Sequence, residues 1–159
     1  MLALLLATGA GTCLQAQEKL TQFKVRDAIT VRTPIMNDSI NPKGEKYADK
    51  DLLKTPVVLD LADAPFQVLS TDTAGVLSFP KAEKDHSIYL LETSLRAERF
   101  MTGKLKVTSP ARWEIFINGE SKMSKENAED SISGASTREV NLRLEPEADY
   151  EITIKLLSG

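Results

Sequence analysis

From His86 to the end of the chain, apolar residues recur mostly at every second position, a period that restricts the segment to half-buried β-strands. Trp113, Ile115 and Ile117 fall on one face, while Glu114, Phe116 and Asn118 fall on the other. Val140, Leu142 and Leu144 alternate with Asn141 and Arg143, and Tyr150, Ile152, Ile154 and Leu156 alternate with Glu151, Thr153 and Lys155. Asn118-Gly119 closes the first of these runs; a type I′ turn needs positive φ at both central residues, and this pair tolerates it, so the chain is expected to return through Glu120–Met123. Gly103–Thr108 is a further alternating run stopped by Ser109-Pro110, and Ser87–Leu95 is a longer, more apolar one. About six strands with turns at this spacing predict an all-β antiparallel sandwich or barrel.

The N-terminus reads differently. Residues 1–7, MLALLLA, are apolar but too short for a transmembrane helix, which needs about 20 residues. They fit the core of an export signal, with Leu14-Gln15-Ala16 as the site a peptidase reads. Residues 1–16 are therefore expected to be removed, leaving Gln17–Gly159 in the periplasm or outside the cell with no transmembrane span. A buried N-terminal helix is the alternative. Signals normally open with a basic residue and the first here is Lys19, which points to a start inside a longer reading frame. Cys13 lies in the removable segment, so the mature chain holds no thiol and must be stabilised by its own core. Ala10-Gly11-Thr12-Cys13 departs from a lipidation pattern at both ends.

Residues 17–54 read as an extended or irregular arm carrying one strand, Phe23–Val31, and residues 55–159 as the sandwich domain. Thr33–Leu53 is rich in Asn, Asp, Lys and Pro, with a short helix expected near Tyr47–Leu53. Thr55–Leu61, Phe66–Thr71 and Val76–Phe79 are expected to be extended. Ser124–Thr137 is polar and Ser-rich, a long surface loop whose Glu126, Glu129 and Asp130 match no calcium-loop spacing.

Residue counts limit the chemistry. A single His, His86, and a single Cys exclude most nucleophilic and zinc designs, and no G-x-S-x-G elbow accompanies His86. Gly9-Ala10-Gly11 follows no strand and cradles no phosphate. With Lys+Arg 20 against Asp+Glu 23, the net charge of −3 does not suit nucleic acid. No metal or other cofactor is expected. Carboxylates such as Asp60, Asp63 and Glu114 leave a small hydrolase open, but no motif pairs them. The candidate binding residues are Phe116, Trp113 and Glu114. Trp113 is either a core anchor or a ring that stacks on sugar, and Phe116 is a contact residue if its face is solvated and packing if it is covered.

The run Ala111–Glu120, with Trp113, Ile115, Ile117 and Asn118-Gly119, and the preceding Phe100–Val107 resemble the strand phrase of galactose-binding-like jelly rolls. That resemblance spans Ile88–Leu156 and implies a jelly-roll-like sandwich that serves as an accessory domain, without catalytic residues. Ala16-Gln17 also resembles the end of signals in exported Bacteroidota proteins, some of which carry such a sandwich before a propeller and a prolyl-oligopeptidase-like hydrolase. This resemblance implies the N-terminal part of a larger protein, with any peptidase or glycosidase activity elsewhere. The leading expectation is a non-catalytic accessory or interaction module with a protein or glycan partner. A carbohydrate-binding module is the alternative, and a carboxylate-dependent hydrolase the second.

Overall fold

The computed structural model describes residues 2–8, 17–18, 20–26, 29–30, 44, 53–54, 65–78, 87–131 and 134–158. Their strands, in chain order, are β1 (Leu2–Thr8), β2 (Gln17–Glu18), β3 (Gln22–Arg26), β4 (Ile29–Thr30), β5 (Phe66–Ser70) and β6 (Val76–Leu77). They continue with β7 (Ser87–Arg96), β8 (Met101–Thr108), β9 (Arg112–Ile117), β10 (Glu120–Lys125), β11 (Thr137–Leu144) and β12 (Asp149–Ser158). Sheet I has five strands in the order β11-β8-β1-β2, with β6 also on β1; sheet II has seven in the order β10-β9-β12-β7-β3-β5, with β4 on β7. Every pairing is antiparallel.

The alternation seen in sequence decides which face of each sheet is dry. Leu105, Val107, Val140, Leu142 and Leu144 of sheet I share one buried cluster with Tyr89, Leu91, Ile115, Ile152 and Ile154 of sheet II. The two sheets therefore pack face to face as a sandwich, and each large apolar side chain in this layer contributes about 1.5–3 kcal/mol of transfer free energy. From β5 onward every successive pair of strands lies in different sheets except β9–β10, a hairpin within sheet II. Asn118 and Gly119 turn that hairpin with φ of 51° and 78°, as the I′ geometry demands.

The two outer faces differ. Sheet I presents a charged ladder in which Glu139 lies 2.8 Å from Lys104 and 3.4 Å from Lys106. On sheet II, Ile88, Leu90 and Leu157 are buried outside the central cluster, with Leu157 opposite Ile88, buried Lys155 opposite Leu90 and buried Thr153 opposite Glu92. Thr153 and Lys155, the polar positions in the β12 alternation, are thus buried as well, because this end of sheet II is covered on both sides. Near-continuous apolar runs such as Ser87–Leu91 are what two-sided burial requires.

Two N-terminal segments take part in the sheets. The strand expected in the N-terminal arm is β3, an integral member of sheet II between β7 and β5. The apolar run expected as an export signal forms β1, paired with β8 from Ala3 opposite Thr108 to Thr8 opposite Gly103. Cys13, the Leu14–Ala16 cleavage site, the Thr55–Leu61 strand, Asp60, Asp63 and His86 lie outside the described residues, as does all of the Tyr47–Leu53 segment except buried Leu53. No helix among the described residues is long and apolar enough to cross a membrane.

Candidate interaction surface

Trp113 stands on the inner face of β9 with none of its surface exposed, and its indole Nε1 has no hydrogen-bond partner among the described residues. It shares that face with Ile115 and Ile117, so the period-two pattern that placed it also buries it. As a binding residue Trp113 is therefore corrected to a core anchor, since it offers no ring at the surface. Phe116 and Glu114 point the other way. Phe116 is half-buried opposite Thr153 and Ser121, and Glu114 accepts a 2.7 Å hydrogen bond from the Ser121 hydroxyl. Burial holds the Lys155 ammonium below the usual lysine range, with the Glu114 carboxylate opposing that shift. Phe116 and Glu114 thus lie half-buried on the face of β9 opposite to Trp113.

Of the acidic loop expected over Ser124–Thr137, Ser124 and Lys125 belong to β10 and Thr137 to β11, and Glu126 and Glu129 between them are tied down. Lys125, buried at the end of β10, donates to the Ser109 carbonyl and to Glu129, each at 2.6 Å. Glu129 also accepts from the Ser136 amide at 3.0 Å, and the Lys125 and Ser136 bonds hold its carboxyl below the usual range. Glu126 pairs with Lys54 at 3.3 Å. The described residues contain no group of three His, Cys, Asp or Glu side chains placed to hold a metal ion.

The surface that does stand open lies at the far edge of sheet II, where β5 pairs with β3 alone among the described strands. Phe66 is 44% exposed and Val68 58%. Both project on the outer face beside Lys24 and Arg26: the Lys24 ammonium sits 5.0 Å and the Arg26 guanidinium 5.1 Å from the Phe66 ring centroid. Arg26 also donates to Glu92 at 3.1 Å, and both side chains of that ion pair are largely buried. A cleft of about 820 Å³ opens next to this edge, with Lys24, Val68, Glu92, Ser94, Asn118 and Glu151 among its lining residues. At its rim Arg96 binds Glu147 at 2.7 Å and Asp149 at 3.1 Å. The other exposed phenylalanine among the described residues, Phe100 on the β7–β8 connection, also lies under a cation, Arg143 at 5.2 Å.

Sequence reading missed this edge because FQVLS alternates too weakly to say which side chains stay wet, and because an edge position belongs to the topology of the whole sheet. No protein-family model, no curated protein and no solved structure matches the chain.

Proposed function

We propose that this chain is a non-catalytic interaction module of an exported protein, docking through the β5 edge of sheet II. The observation that carries the reading is the pair Phe66 and Val68, large exposed apolar side chains on a strand that is the last of sheet II among the described strands. The cleft beside them adds support. Three of its lining charges are engaged in ion pairs, Arg96 with Asp149 and with Glu147 at the rim, and Glu92 with Arg26, an arrangement that suits a braced surface better than an acid and base poised over a substrate. The export part of the reading is supported by the apolar opening of the chain and the Leu14-Gln15-Ala16 site.

Sugar stacking is supported less well, because Phe66 and Phe100 each already lie under a cation and Trp113 is buried. The test is a panel of glycan, peptide and ester substrates with a parallel glycan array. Neither turnover nor glycan binding is expected. Turnover that disappears in His86→Ala or Glu92→Gln overturns the reading.

A further inference from the structure

We infer that sheet I is a strand-receiving site: once residues 1–16 are removed, the slot beside β8 takes an extended segment of another polypeptide. This rests on the export reading, in which those residues are shed. Among the described strands, every link between the β8–β11 pair and β2 or β6 runs through β1. Neighbouring strands lie about 4.8 Å apart, so loss of β1 leaves its former neighbours roughly 9.6 Å apart, with room for one strand between them.

The two walls of that slot are unequal. β8 offers six consecutive positions, Gly103 to Thr108, whereas β2 and β6 are two residues each and cannot supply a matching ladder. Leu105 and Val107 on β8 and Leu77 on β6 are buried in the intact chain and flank the slot. Leaving it empty wets these core side chains together with backbone hydrogen-bonding groups of β8. A strand supplied by a second polypeptide restores both.

The register of β1 specifies what fits. Positions 2, 4 and 6 stand opposite Leu77, Val107 and Leu105, and all three are leucine in β1. Positions 5 and 7 stand opposite Lys106 and Lys104, two ammonium groups that share the carboxylate of Glu139. One positive charge on this ladder is left over, and an acidic residue at position 5 or 7 complements it where β1 has Leu5 and Ala7. The partner is thus a segment running antiparallel to β8, apolar at three alternate positions and acidic between them.

The test uses the processed protein, exported from a bacterial host, with its N-terminus read by mass spectrometry. The probe is a fluorescent seven-residue peptide numbered as β1, with leucine at positions 2, 4 and 6, glutamate at position 5 and threonine elsewhere. With Gln17 at the N-terminus, the expected result is one-to-one binding by anisotropy and slowed exchange of the β8 amides that face the slot. A peptide with the whole pattern shifted by one residue is expected not to bind, since the shift turns its apolar side outward. Lysine in place of the glutamate is expected to weaken binding about threefold, and Lys106→Glu to reverse that preference. A chain starting at Gln17 whose β8 amides are protected without peptide, and which binds none, has closed the slot with its own residues and overturns the inference. So does a chain that the peptide neither binds nor folds, and so does equal binding of the shifted peptide. An N-terminus upstream of Gln17 fells the export reading and the inference together, whereas failure to bind at a Gln17 N-terminus fells the inference alone.

Discussion

The Lys125 ammonium lies 2.6 Å from both the Ser109 carbonyl and the Glu129 carboxylate, so one buried cation joins the β8–β9 turn to the loop between β10 and β11. Its aliphatic stem is buried while its charge is satisfied by two oxygens. Lys125→Met keeps the stem and removes both bonds. The expected outcome is a loss of about 1–3 kcal/mol in urea unfolding, together with faster amide exchange across 126–136.

The same clasp is sensitive to acid. The Lys125 hydrogen bond, followed by that of Ser136, holds the Glu129 carboxyl below its usual value in the folded state. A lowered folded value means stability that is fully present above the unfolded carboxylate range and is lost as pH falls through the folded value. Exchange of the Ser136 amide, corrected for intrinsic rate, is therefore expected to accelerate below that range. Glu129→Gln is expected to flatten this dependence.

Trp113 supplies its own probe, being the single tryptophan of the chain. Complete burial predicts blue-shifted emission, little quenching by acrylamide and a red shift on unfolding. Trp113→Ala is expected to cost about 3–5 kcal/mol, the range for emptying a large aromatic site in a core. Strong acrylamide quenching of the folded protein would contradict the core assignment.

At the β9–β10 hairpin, Asn118 and the Glu151 backbone exchange two 2.8 Å bonds: the Asn118 amide donates to the Glu151 carbonyl, and the Glu151 amide donates to Asn118 Oδ1. Gly119 has open space around a would-be Cβ, so the burden on Gly119→Ala comes from φ of 78° alone. Its expected cost is about 1 kcal/mol by thermal melting. Asn118→Ala is expected to cost more, because it gives up the bond to Glu151 as well as the residue's tolerance of positive φ.

The parts of this fold legible in sequence are those governed by local chemistry. Trp113-x-Ile115-x-Ile117 followed by Asn118-Gly119 specifies a strand, its buried face and its turn within a few residues. The β8, β11 and β12 strands follow by the same alternation, each within a few residues of the observed ends. What was not legible depends on partners distant along the chain. Lys155 is a polar position in an alternating run, yet it is buried where β12 is flanked by β9 and β7. Phe66 and Val68 read as an ordinary short strand, and their exposure follows only from β5 being the last strand of sheet II. Phe116 was readable as facing away from Trp113, but not as half-buried, since that depends on what covers the second face.

The pairing of β1 with β8 also sets an order in time. Leu4 stands opposite Val107 and Leu6 opposite Leu105, so the first strand cannot be paired until roughly a hundred further residues have emerged. Until then the Leu2–Thr8 backbone has no β8 to bond with. The β1–β8 seam of sheet I therefore closes late in synthesis, joining the first strand of the chain to one made long after it.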